Sequence, residues 1–426
     1  MESVPPSARF LGGSVVRLAQ LVRHFNAVTS RHWRDAGGMH SQSAGQARPL
    51  NGWGGVALVL VLSTCAAAMD VVTFERDGKQ LEVVGRVLVE AQDGGLLVEA
   101  RDGTYWAIPP EEQVEHETDA RPFTHLPRDE LAAKLLAGLP EGFDVHETAH
   151  YLILFDTSRA YAEWCGSLFE RLYMAFTNYF SRKGFDIAEP EWPLVAVVFA
   201  DRKDYLRHAR GELGEAAESI VAYYSLRTNQ MTLYDLTGLE TAARHYGQQV
   251  TSRQVNRLLS QPGTMRQVST IVHEATHQIA FNCGLHQRYS DCPRWFSEGI
   301  AMYFETPDLR SSRGWRGIGE VNRMRLSRFR QYLRRRPPDS LKTLVRDDAR
   351  FLDTKQGLDA YAETWALTYF LIRQHPREYL EYLRRLSEKK PLLEDEPEQR
   401  LATFREVFGP LEPLDREFLR YMIRVR

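Results

Sequence analysis

Cysteine is scarce in this 426-residue chain, four in all, and no Cys-x-x-Cys knuckle occurs. That excludes a disulfide scaffold and a zinc site built from cysteine. Glycine (29) and proline (20) stand at ordinary levels, so no collagen-like or low-complexity array is present. Charge of one sign is not in excess either: 54 Lys and Arg face 56 Asp and Glu, a formal net charge of −2. A chain built mainly to neutralise phosphates would be clearly basic, so nucleic acid is not an expected partner. A disordered chain is excluded because 43% of the residues are hydrophobic. The apolar run at 56–62 is too short for a membrane span, which needs about 20 predominantly apolar residues.

What that run does resemble is the core of a secretory signal. Arg48 supplies a positive flank, and Ala66-x-Ala68 offers the small residues of a cleavage site. The expectation is a leader over 1–68 and an exported, periplasmic or extracellular protein, with an uncleaved membrane anchor as the alternative. Met39 is an alternative start that leaves a leader of ordinary length, and Leu62-Ser63-Thr64-Cys65 is a lipoprotein box weakened by its Thr. Six arginines against Glu2 and Asp35 sit in the leader, so the remainder carries −6. Three cysteines remain. Cys283 and Cys292 suit a closed loop in an oxidising compartment, and equally all three, with Cys165, suit unpaired core thiols.

The rest of the chain divides by pattern. Over 69–110, alternating runs broken at Asp77-Gly78, Asp93-Gly94 and Asp102-Gly103 predict a small antiparallel barrel or meander, because Gly supplies the positive φ of a tight turn. The Pro-punctuated, charged stretch 111–144 reads as a linker. From 145 to 388 the pattern is mixed: strands at 150–155 and 193–199, a helix over 161–180, a hairpin from 220–225 and 230–234, then helices. A helical extension is expected over 389–426. Strands followed by helices predict an α+β fold.

Met265, Val268, Ile271, Ala275 and Ile279 recur at helical spacing up to Gly284. Within that helix lies His273-Glu274-Ala275-Thr276-His277, an H-E-x-x-H sequence. Two imidazoles four apart share one helix face and can reach one ion, with Glu274 beside them as a base for the ion's water. With 13 His in the chain, chance supplies only about 0.03 such motifs. A third ligand is expected at Glu298. Trp295, Phe296, Ile300, Tyr303 and Phe304 would bury the helix that Pro293 opens, and a buried carboxylate needs a partner such as a metal. Glu305, two turns further on, is the fallback ligand or an acceptor for a ligand imidazole.

The pair of blocks HEATHQIAFNCGL and PRWFSEGIAMYFE resembles the gluzincin metallopeptidases, and more narrowly a bacterial family of largely uncharacterised secreted proteins with a peptidase-MA-like domain. The resemblance covers roughly 145–380. It implies a thermolysin-like zincin domain, one Zn2+ held by His273, His277 and Glu298, and Glu274 as general base in hydrolysis of a peptide or protein substrate. It also implies that Gln230–Tyr234 is a cleft-lining edge strand. Tyr361, with His375 second, is the implied oxyanion donor. Two departures stand out. Met302 occupies the position where thermolysin-like enzymes carry an Asp that orients a ligand histidine, and the Gly-Ala-Met-Glu-Asn motif of aminopeptidases is absent. The competing class is a non-catalytic, zinc-stabilised envelope or interaction protein.

Ten arginines lie between Arg310 and Arg336. Leu326, Phe329 and Leu333 at helical spacing make them the solvated face of an amphipathic helix; the functional alternative is a docking surface for an anionic envelope component. His286 could contact substrate from its loop. His146 and His150 are read as structural, without a carboxylate neighbour.

Overall fold

The computed structural model describes residues 68–306, 315 and 317–426. The leader up to residue 67, with Met39 and the 56–62 run, lies outside the described residues, as do Arg310, Arg313 and Arg316.

The first unit is a five-stranded antiparallel sheet, β1 (Ala68–Arg76), β2 (Lys79–Glu90), β3 (Leu96–Ala100), β4 (Tyr105–Ile108) and β5 (Gln113–Pro122), in the order β4-β3-β2-β1-β5. Asp77 and Gly78, at φ 55° and 70°, make the tight β1–β2 turn. Val72, Phe74, Val83, Leu96, Val98, Ala100 and Ile108 form its core. The sheet is open, because β4 and β5 end it without pairing, so the barrel form of the expectation is not adopted. β5 and helix α1 (Arg128–Ala137) both fall in the stretch expected to be a linker. β5 escapes a periodicity reading because none of its residues is buried; its backbone pairs with β1 while its polar side chains face water.

The second sheet holds β6 (Asp144–Glu147), β7 (Tyr151–Phe155), β8 (Leu194–Phe199), β9 (Ala222–Tyr224) and β10 (Gln230–Tyr234), ordered β6-β7-β8-β10-β9. β7, β8 and β10 are parallel neighbours, and the crossover between β7 and β8 is helix α2 (Arg159–Ser181). Every residue of β7 and β8 is buried, since both faces are covered. Ile153, Ala196 and Val198 pack with α2 on one face; Leu152, Val195 and Val197 pack with α1 and helix α3 (Arg202–Leu213) on the other. β10, expected at the edge, is interior, and the short antiparallel β9 lies outside it.

Helices make up the remainder: α4 (Leu239–Tyr246), α5 (Ser252–Leu259), α6 (Pro262–Asn282), α7 (Arg294–Phe304), α8 (Arg323–Tyr332), α9 (Ser340–Arg346), α10 (Ala349–Leu352), α11 (Gly357–Gln374), α12 (Pro376–Ser387), α13 (Pro397–Phe408) and α14 (Leu411–Arg424). The fold is therefore α+β, with two open sheets and a helical C-terminal half. α7 is buried along its whole length. Trp295 packs against Tyr382 and, edge to face, Phe404, and Phe296 against Tyr379. Gly299 lets α11 approach closely: a Cβ there would lie 2.0 Å from Thr368 Oγ1. No helix among the described residues is long and apolar enough to cross a membrane.

One open reading is decided in this frame and two expectations change. Of the two readings of the cysteines the unpaired one holds: Cys283 and Cys292 are free thiols, as is Cys165. His150 does have a carboxylate neighbour: its Nδ1 lies 2.7 Å from Glu170 Oε2, brought in by α2 from twenty residues away. The arginines of α8 and its C-terminal flank are not simply a solvated face. Arg325 reaches Glu305, Arg328 and Arg335 reach Asp359, and Arg336 reaches Glu363 and Asp415.

Candidate metal centre

Pro262 opens α6 at a position where its missing N–H costs no intrahelical bond, and Gly284, at φ 81°, follows its end. Residues 270–281 of this helix are all buried, so His273, Glu274 and His277 are held inside the protein. The apolar residues of α7 fix Glu298 opposite them, also buried. His273 Nε2 is 3.1 Å from Glu298 Oε2 and 3.2 Å from His277 Nε2, and His277 Nε2 is 3.8 Å from Glu298 Oε2. Among the described residues these three side chains are the one such group that converges.

The spacing fits a small divalent ion. A triangle with those edges has a circumscribed radius of about 2.0 Å, close to the metal–ligand lengths of zinc with imidazole and carboxylate. Glu298 Oε1 supports the fit, since it is buried without a hydrogen-bond partner among the described residues, an arrangement that is costly unless something else binds the carboxylate. Burial opposes charge on Glu298, yet His273 and His277 hold its carboxyl well below the usual range. Burial also opposes charge on His273, but Glu298 and Glu305 outweigh it and lift the imidazole to about 10.

Glu305 sits behind His273, with Oε2 3.1 Å from Nδ1. Its other oxygen accepts from Asn322 Nδ2 at 2.5 Å and Arg325 Nε at 3.3 Å. Nδ1–H donation to Glu305 fixes the ring so that Nε2 points at Glu298 and His277. Met302, one turn before Glu305, is a fully buried core residue. Glu274 is 2% exposed, and Oε2 accepts the backbone N–H of Tyr224 on β9 at 3.1 Å. Burial is the main cause of its raised pKa, outweighing both histidines.

Tyr361 lies in the second turn of α11, fully buried rather than on a rim, against Phe351 with ring centroids 5.0 Å apart. Burial and then Glu298 push its hydroxyl well above the ordinary tyrosine value, against a hydrogen bond with Arg294. His375 follows the other end of α11, about 21 Å further along the axis, and faces Glu417 Oε1 at 3.3 Å. Only Tyr361 of the two adjoins the cluster. His286 is not a solvent-facing loop residue: it is 2% exposed between Phe281 and Phe296, with Nδ1 3.6 Å from Cys292 Sγ. Burial pulls it down to about 3, which leaves it a neutral packing group. Asn322, Arg325 and the Tyr224 backbone belong to the site without having been singled out by sequence. Asn322 was detectable as a helix N-cap and Arg325 only as one of an arginine run.

Residues 267–393 match a family described as a protein of unknown function (DUF1570), a span that holds α7, all of α6 but its first five residues, and Glu305 and Tyr361. The chain matches no curated protein.

Proposed function

We propose that this protein is an exported zinc-dependent peptidase of the gluzincin type, with zinc held by His273, His277 and Glu298. The observation that carries the reading is the position of Glu274: a buried carboxylate beside three converging ligand atoms, its orientation fixed by an edge-strand N–H. A site that only stabilised the fold would need the three ligands and no adjacent base. Two imidazoles and one carboxylate are the ligand set of catalytic zinc sites with an open fourth position.

A divalent ion bound there supplies Lewis-acid polarisation of a carbonyl and an acidified water. The chain's own residues supply the rest. Glu305 holds the His273 tautomer, and Tyr224 N–H holds one oxygen of Glu274. The free oxygen of Glu274 takes the proton of the attacking water and delivers it to the leaving amine, a task for which a raised proton affinity is suited. β9 is the edge strand of its sheet, and its outward N–H at Tyr224 is committed to Glu274. Tyr361 is assigned as the donor to the developing oxyanion.

Metal analysis with a peptide-library digest tests this. The processed chain is expected to hold about one zinc, to lose it in His277→Ala and to keep it in Glu274→Gln. Cleavage is expected to fall by about 10²–10⁴ in Glu274→Gln. Activity that persists in that variant removes Glu274 from its role, and a folded protein without metal affinity removes the whole reading. Tyr361→Phe is expected to lower kcat with metal content unchanged.

A further inference from the structure

Seven arginines fall between Arg323 and Arg336, with no acidic residue among them. The structure sorts them into two sets. Arg325, Arg328, Arg335 and Arg336 turn inward onto Glu305, Asp359, Glu363 and Asp415. Arg323, Arg330 and Arg334 are exposed and face no carboxylate among the described residues. Arg323 and Arg330, seven residues apart, lie within about 20° of one line on α8, opposite Arg325 and Arg328, and Arg334 follows in the turn after the helix. Arg330 donates to the Val425 carbonyl, which seats the segment after α14 and brings Arg426 alongside.

These four arginines, with Ser327 and Gln331, line an open depression of about 310 Å³ whose base is Leu326. No Asp or Glu lines it. The chain as a whole is net negative, so the patch is not a by-product of a basic protein. Solvation alone would be served by arginines spread over the surface. Concentrating them in a concavity, with hydroxyl and amide donors between them, raises mutual repulsion that a multivalent anion relieves. Guanidinium forks match tetrahedral oxyanions in bidentate geometry, and the volume suits a headgroup rather than a length of polymer.

We infer that this depression binds a phosphate-dense anion the size of a diphosphate, either free or as a lipid headgroup. The inference is independent of the metal-centre reading.

Calorimetric titration of the processed protein with sodium pyrophosphate, and sedimentation with phosphatidylcholine vesicles with and without phosphatidic acid, test it. Arg323→Gln/Arg334→Gln removes two arms of the depression; Arg253→Gln/Arg257→Gln on the exposed face of α5 makes the same charge change elsewhere. The expected result is saltable binding that falls by about tenfold or more in the first variant and stays within about twofold in the second. Pyrophosphate binding without vesicle binding assigns a free ligand, and vesicle binding displaced by pyrophosphate assigns a headgroup. Equal losses in the two variants would make the effect one of net charge and overturn the site. Unchanged pyrophosphate affinity in the first variant would place the ligand outside the depression and overturn it too, as would no binding in either arm.

Discussion

Replacing Glu305 should weaken metal binding although Glu305 is not a ligand. Its Oε2 accepts from His273 Nδ1 at 3.1 Å, and that bond decides which nitrogen of the ring is free to face Glu298 and His277. Loss of a carboxylate behind a ligand histidine costs about 10–100-fold in metal affinity, or about 1.4–2.7 kcal/mol. Glu305→Gln keeps an acceptor oxygen at much the same place and should lie near the lower figure. Glu305→Ala leaves the ring without an acceptor and should approach the upper one. The alanine variant has a second cost: Arg325, 9% exposed, loses the carboxylate at 3.3 Å that justifies burying its guanidinium. Breaking such a pair from one side costs about 3–5 kcal/mol in stability.

The two effects separate experimentally. Metal affinity is read by competition with a chromophoric chelator at fixed pH, and stability of the metal-free protein by denaturant melts. Met302→Leu is the control, a near-isosteric change at a buried position that carries no hydrogen-bonding partner for His273. The expected affinity order is wild type and Met302→Leu, then Glu305→Gln, then Glu305→Ala. A folded Glu305→Ala protein that binds zinc as tightly as wild type would refute the argument, since the ring would then need no orienting partner.

Other perturbations probe the packing around the centre. Gly299→Ala drives a methyl into Thr368 Oγ1, 2.0 Å away, and should cost about 1–3 kcal/mol; the Gly299→Ala/Thr368→Ala pair should recover part of it in a double-mutant cycle. Arg288→Met should loosen the first sheet, because Arg288 donates to Gly103 O at 2.8 Å and stacks on Tyr105 with its guanidinium carbon 3.6 Å from the ring centre; limited proteolysis should cut between the two sheets sooner. Glu99 is buried, but hydrogen bonding to His125 and the charges of Arg86 and Arg288 hold its carboxyl below 4.5. A depressed folded value gives stability that is present above the unfolded value and lost as the pH falls through the folded one. The stability gap between wild type and Glu99→Gln should therefore shrink as the pH drops below 4.5, and a gap that widens there would contradict the sign.

Much of the architecture was readable because burial leaves a periodic trace. β7 and β8 are unbroken apolar runs, α6 and α7 carry apolar residues at helical spacing, and Asp77-Gly78 marks its own turn. β5 left no such trace. Its residues pair through the backbone and point into water, so QVEHETDARP has the composition of a linker. Strand order was also hidden. β10 and β9 form a hairpin either way; which of them meets β8 depends on how the crossover packs, and both candidates carry apolar side chains.

The metal cluster shows where the same boundary falls within a site. Glu305 was visible as a partner for a ligand histidine because seven residues are nearly two full turns, which returns a side chain to the face of Glu298. The imidazole of His273 then bridges two carboxylates of one helix and its cap, Nε2 to Glu298 and Nδ1 to Glu305. The acceptor for the ring is therefore Glu305, at the end of the helix, while Met302, one turn before it, is a buried apolar residue. The hold on Glu274 could not be read in the same way. Its partner is the N–H of Tyr224, and any residue but proline at 224 would supply that donor, so no residue type encodes it. It follows that Tyr224→Phe should leave Glu274 in place, whereas a register shift or kink in β9 should release it. Substituting proline at 224 removes the donor itself, and a fall in activity with zinc still bound would separate the orientation of the base from the assembly of the ligands.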